Sequence, residues 1–113
     1  MSASAFSLTA TVPAGAFRVV DGEPVKGGLR GPDLDHYFCS SCESWVFTRI
    51  VGLDAFVNVR PTMFDDPKWS RPFIETMTRD KLPWAQTSAV HSFEGFPAMD
   101  ELAKLMGAYS SQR

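Results

Sequence analysis

The stretch His36-Tyr-Phe-Cys-Ser-Ser-Cys-Glu-Ser-Trp-Val-Phe47 decides the fold. It holds the only two cysteines of the 113-residue chain, Cys39 and Cys42, at Cys-x-x-Cys spacing between two aromatic runs. A tight turn between two thiolates points both sulfurs the same way, so the pair can grip one soft metal ion. A structural zinc takes four ligands, so the pair is half a site. The flanking runs, Asp35-His-Tyr-Phe38 and Trp45-Val-Phe-Thr-Arg-Ile-Val51, are rich in aromatic and β-branched residues. They predict a hairpin whose tip is the cysteine knuckle.

Working outward, Ala55-Phe-Val-Asn-Val59 predicts the next strand after a turn at Gly52-Leu-Asp54. Upstream, Phe6, Leu8, Ala10 and Val12 alternate with Ser7, Thr9 and Thr11, the period-two pattern of a strand with one buried face. Pro13-Ala-Gly-Ala16 predicts a turn or one short helical turn, and Phe17-Arg-Val-Val20 a second strand before the Asp21-Gly22 turn. Glu23-Pro-Val-Lys26 extends that region, and Gly27-Gly-Leu-Arg-Gly-Pro-Asp33 is a loop by composition. Downstream, residues 61–72 form a long polar connection, and Phe73-Ile-Glu-Thr-Met-Thr78 predicts a strand broken by a short helical turn. Met99, Leu102, Leu105, Met106 and Tyr109 recur at helical spacing, with Asp100 and Glu101 placed for the first turn. The expectation is one mostly β domain over residues 1–113 with a C-terminal α-helix.

Composition fits a chain with a real core: 44% hydrophobic, 12% aromatic and 21% charged residues. A formal net charge of −2 gives no basic field for nucleic acid or an anionic membrane. No apolar run approaches the roughly 20 residues of a membrane span. The N-terminus has neither the positive region nor the apolar region of a signal peptide. The expected compartment is therefore cytoplasmic, where a close Cys-x-x-Cys is metal-binding or redox-active rather than a structural disulfide. A thioredoxin-type redox role is the weaker reading, since such pairs use a helix N-terminus to depress the thiol pKa and this pair lies between strands.

An ordered set of pieces resembles the glutathione-dependent formaldehyde-activating enzyme family, which includes centromere-protein-V-like domains. The pieces are Val12-Pro-Ala-Gly-Ala-Phe-Arg-Val19, Gly22-Glu-Pro24, Phe38-Cys-Ser-Ser-Cys42, Trp45-Val-Phe47 and Phe56-Val-Asn-Val59. Pro72-Phe-Ile-Glu75, Leu82-Pro-Trp84 and Phe93-Glu-Gly-Phe-Pro97 complete the pattern, which spans nearly all the chain. The resemblance implies the Mss4-like fold, small twisted sheets bound around zinc. It implies carbon–sulfur lyase chemistry on thiol–aldehyde adducts, above all that of glutathione with formaldehyde.

The resemblance also implies three cysteine groups. An early Cys-x-Cys joins a late Cys-x-x-Cys in a four-thiolate structural zinc, and a middle group holds a catalytic zinc. Here only the late pair, Cys39 and Cys42, is present, and the family glycine after the second cysteine is replaced by Glu43. Met1-Ser-Ala-Ser-Ala-Phe-Ser-Leu8 resembles the segment following the middle group, so the expectation is an N-terminally shortened chain, started one step too far downstream. The other reading is a genuinely shortened, metal-free relative. With no second cluster to build an open zinc position, this chain is expected to be inactive or nearly so. The rival from another class is a non-enzymatic binding or scaffold module of the same fold.

Other candidates carry a bland reading beside the sharp one. His36 is a third ligand or a hairpin-packing histidine, and His91 a strand-surface residue. Ser40 and Ser41 read as turn residues, Asp65 and Asp66 as solvated turn residues, and Glu75 as a strand-surface charge. Trp45 reads as core, Trp69 as the best groove wall of the three tryptophans, and Trp84 as a lesser one. Arg60 is a surface arginine or a site for an anionic group such as a glutathione carboxylate. Zinc through Cys39 and Cys42, and a homodimer that brings two knuckles together, complete the expectations. Uncovered sheet edges and apolar surface favour that self-association.

Overall fold

The computed structural model describes residues 4–28 and 31–112. The predicted loop at Leu29 and Arg30, and residues 1–3 of the expected late start, lie outside the described residues. The chain divides into two compact units, Met1–Ser70 and Arg71–Arg113.

The first unit is a five-stranded antiparallel sheet. Its strands are β1 (Ala10–Pro13), β2 (Val25–Gly27), β3 (Leu34–Phe38), β4 (Trp45–Ile50) and β5 (Leu53–Val59), in the order β1-β5-β4-β3-β2. Register places Ala10, Val59, Phe47, Tyr37 and Lys26 in one row across the sheet. On that face Phe47, Val57 and Val59 form the core, and Val57 is fully buried. The Phe47 ring stacks on Tyr37 at 4.6 Å and tilts against Phe17 at 4.8 Å. The next row, Thr11, Asn58, Thr48 and His36, is polar and pairs within itself. Thr11 Oγ1 donates to Asn58 Oδ1 at 2.8 Å, and His36 Nδ1 lies 2.7 Å from Thr48 Oγ1. Alternation along β3, β4 and β5 thus separates an apolar face from a hydrogen-bonded polar one.

The predicted hairpin and its knuckle, the strand at β5 and the helical turn at Ala14–Ala16 all appear where the sequence places them. Two predicted strands do not. The alternating stretch from Phe6 pairs only from Ala10, because β5 ends at Val59. Beyond it Pro61, which has no N–H to give a ladder, opens a 3-10 turn at Pro61–Met63. Phe17-Arg-Val-Val20 makes no strand. Phe17 turns onto the core, while Val19 and Val20 are exposed and pair with no strand.

The second unit holds a short parallel pair, β6 (Ile74–Glu75) and β7 (His91–Ser92), and the helix α1 (Met99–Ser111). β6 is shorter than its apolar pattern predicts. Met77 takes a left-handed backbone, φ +57°, and a 3-10 turn follows at Thr78–Asp80. Phe73 anchors the unit, with its ring 5.0 Å from His91 and 5.4 Å from Tyr109. Leu105 is the buried residue of α1, and Leu102, Met106 and Tyr109 flank it half-buried, as the helical spacing predicts, whereas Met99, the first residue of the expected stripe, is exposed. The chain is mostly β with one C-terminal helix, as expected. Among the described residues no helix is long and apolar enough to cross a membrane.

Candidate functional site

The knuckle caps the β3–β4 hairpin. Two backbone bonds close it: Cys39 N–H donates to Ser44 O at 2.8 Å, and Glu43 N–H to Cys39 O at 2.9 Å. Ser40, Ser41, Cys42 and Glu43 are exposed, and Cys39 is half-buried. Both thiols are free. The turn closes only because Glu43 takes φ +63°, the left-handed region where a Cβ is crowded. This is the position where the resemblance implies a glycine, and Glu43 takes the backbone conformation that glycine adopts readily.

The Cys42 thiol donates to Ser44 Oγ at 3.3 Å. In the thiolate the hydroxyl turns to donate instead. That hydroxyl, then the Ser44 N–H, then the Cys39 side chain hold the Cys42 thiol below its ordinary pKa, against a weaker upward push from desolvation. The pair is therefore easier to ionise at Cys42 than a plain surface thiol.

Beside the knuckle lies a cleft of about 290 Å³, lined by Phe38, Glu43, Ser44, Trp45, Arg60, Thr62 and Met63. Its central feature is the Arg60 guanidinium, lying 3.8 Å from the Trp45 ring centroid. That is a close cation–π contact. Arg60 Nη1 also donates to Thr9 Oγ1 at 3.3 Å. Partial burial pushes the Arg60 pKa down, yet an arginine remains charged at neutral pH. Among the described residues no carboxylate pairs with it. Trp45 is fixed from its other side. Its indole N–H donates to Thr48 Oγ1 at 2.9 Å, and the same hydroxyl meets the buried His36, whose ring stands edge-on to Trp45 at 5.2 Å.

The structure sorts the remaining candidates. His36 is a packing residue inside the hairpin, held by Thr48, and does not join the cysteines as a third ligand. His91 sits in β7 against Phe73. Asp66 closes its own turn by accepting the Lys68 N–H at 3.1 Å, and Asp65 is exposed. Trp69 packs edge-on to Phe64 at 5.2 Å and does not line the cleft, while Trp84 is exposed. Glu75 is more than a surface charge. It accepts from Ser92 Oγ at 2.5 Å and Thr87 Oγ1 at 2.9 Å, which hold its carboxyl below the usual range.

Zinc, expected from the resemblance, needs four donors in a structural site and at least three protein donors in a catalytic one. The chain brings two thiols together, and among the described residues no group of three His, Cys, Asp or Glu side chains gathers anywhere. One chain alone does not fit the ion.

Sequence reading missed the cleft. Ile50 pairs Leu53 at the β4–β5 turn, so a regular hairpin would set Phe47 against Phe56. An irregularity between Arg49 and Ile50 sets it against Val59 instead, and with that register the Arg60 guanidinium lies against the Trp45 ring. Periodicity carries no mark of that shift.

No curated protein and no solved structure matches the chain. The family model described as glutathione-dependent formaldehyde-activating enzyme matches residues 1–80, the span that includes the whole hairpin, knuckle and cleft. A match over most of the chain, on a mostly β fold with the expected knuckle, settles the grouping: the chain belongs to the glutathione-dependent formaldehyde-activating enzyme family.

Proposed function

We propose that the cleft beside the knuckle binds the carboxylate end of a glutathione-type thiol or its formaldehyde adduct, and that this chain by itself does not turn the adduct over. The observation that carries the reading is the Arg60 guanidinium on the Trp45 ring, charged, partly desolvated and without a carboxylate partner among the described residues. A guanidinium offers five N–H donors in a planar fork, and among the described residues only one hydrogen bond, to Thr9, is spent. Thr62 and Ser44 add polar residues to the lining of the cleft, and Phe38, Trp45 and Met63 add apolar ones.

Size limits the ligand. About 290 Å³ is at the lower end of small-molecule sites, enough for one terminal residue of a tripeptide rather than all of it. The thiol end of such a ligand would extend past Ser44 towards the knuckle. Family-level chemistry is glutathione-dependent formaldehyde activation. Carbon–sulfur lyase turnover in that family is expected to need an open metal position. Among the described residues no group of three His, Cys, Asp or Glu side chains gathers to build one.

The test is a titration of the reduced chain with glutathione and with its formaldehyde adduct, followed by indole N–H shifts in NMR, beside a turnover assay. Saturable shifts centred on Trp45 are expected. Arg60→Met should weaken binding about fivefold, the equivalent of roughly 1 kcal/mol for a charged contact at a partly exposed site. Turnover should be absent. Robust turnover by the purified chain, or binding indifferent to Arg60, overturns the reading.

A further inference from the structure

We propose that the cleft takes the α-amino–α-carboxylate end of its ligand, with the Glu43 carboxylate pairing the ammonium and the Arg60 guanidinium the carboxylate. The inference rests on the cleft being a carboxylate site, and it decides which end of the ligand is held there. A γ-glutamyl tripeptide such as glutathione has two carboxylate ends. The glycine end carries a carboxylate next to a neutral amide. The γ-glutamyl end carries an ammonium and a carboxylate on one carbon. A cleft with only a cation suits both ends equally, whereas a cleft with a cation and an anion suits the second.

This cleft has both charges. Glu43 and Arg60 line the same space of about 290 Å³, which has room for one terminal residue, so the two ends compete for it. The two side chains do not neutralise each other, since among the described residues the ion pair that forms is Lys26 with Asp35. Arg60 is held by the Trp45 ring at 3.8 Å and by Thr9 Oγ1 at 3.3 Å. The Glu43 carboxylate has no hydrogen bond or ion pair among the described residues. Its backbone is nonetheless fixed, by its own N–H to Cys39 O at 2.9 Å and by the Cys39 N–H to Ser44 O at 2.8 Å. With φ at +63°, that backbone favours glycine, so the turn itself does not call for a glutamate. What Glu43 adds at this strained position is a negative charge in the lining of the cleft that holds Arg60. Glu43 is exposed and Arg60 half-buried, so the ammonium contact is the weaker of the two and the more easily screened by salt.

The experiment titrates the reduced chain at pH 7 with glutathione, N-acetylglutathione and glutathione amidated at its glycine, followed at the Trp45 indole N–H by NMR. Acetylating the amine should weaken binding about threefold, the scale of an exposed ion pair, and capping the glycine should change it by less than about twofold. Glu43→Gln keeps the side-chain shape; it should weaken glutathione about threefold and leave N-acetylglutathione unchanged. L-Glutamate separates the two sources of the group. Glu43-dependent shifts as tight as those of glutathione assign the site to a free α-amino acid, and weaker ones to a γ-glutamyl peptide; both carry the proposed chemistry. Equal binding of glutathione and N-acetylglutathione, loss of binding on amidation of the glycine, or an equal loss for both ligands in Glu43→Gln would each overturn the proposal. Any of these with Arg60 still required leaves the carboxylate reading in place. No binding, or binding indifferent to Arg60, ends both. The ligand series on the unaltered chain decides the matter even if the variant misfolds.

Discussion

Replacing Glu43 with glycine should stabilise the chain. Glu43 sits at φ +63°, and an L-residue in the left-handed region is disfavoured by about 1–2 kcal/mol relative to the right-handed one. Glycine removes that cost but makes the unfolded chain floppier, by about 0.4–1 kcal/mol. The Glu43 side chain is exposed, so little else is lost with it. The net gain is about 0.5–1 kcal/mol. For a domain of 60–100 residues that raises Tm by about 2–8 °C. Calorimetry in the presence of reductant and chelator checks it, because bound metal would otherwise add its own linkage. Glu43→Ala is the control, since it removes the charge but keeps the Cβ, and it should not reproduce the gain. If alanine stabilises as much as glycine, the effect is electrostatic and the backbone argument is wrong. If glycine destabilises, Glu43 is not strained.

Three further outcomes follow from the packing. Val57→Ala, at the fully buried centre of the sheet face, should cost about 2 kcal/mol by urea denaturation, from lost burial and the cavity left behind. Thr48→Val leaves both the buried His36 Nδ1 and the Trp45 indole N–H without their shared hydroxyl, and should cost about 2 kcal/mol and release Trp45 from its fixed pose, seen as a shifted fluorescence maximum. Glu75 has its carboxyl pKa lowered by Ser92, Thr87 and, more weakly, Lys81. A folded pKa below the unfolded one means that its contribution is present above the unfolded carboxyl range and is lost as pH falls through the folded value. Glu75→Gln should therefore flatten the acid limb of the stability profile below about pH 5 and leave the profile above neutrality unchanged in shape.

The hairpin was legible because its signal is doubled. Two aromatic, β-branched runs flank a spacing that only a tight turn can serve, and neighbouring residues agree with both. The C-terminal helix was legible for the same reason, with Leu102, Leu105, Met106 and Tyr109 reinforcing one face. Strand length was not. Alternation from Phe6 describes which side each residue faces, but a strand also needs a partner, and the end of β5 is decided by Pro61 some fifty residues away. Phe17-Arg-Val-Val20 has strand-like composition, but Phe17 is drawn onto the core and the segment pairs with no strand. The knuckle could be named from Cys39 and Cys42 alone, whereas the Arg60–Trp45 stack depends on a register shift between Arg49 and Ile50 that leaves no trace in residue type. Arg60 as an anion site could be suspected from its place at a strand end, but its aromatic platform could not.

The most direct measurement is isothermal titration calorimetry of the reduced chain with glutathione, run beside the Arg60→Met variant. Saturable binding that weakens about fivefold in the variant is the predicted result. No binding, or equal binding by the two chains, would contradict the account of the Arg60–Trp45 cleft as a carboxylate site.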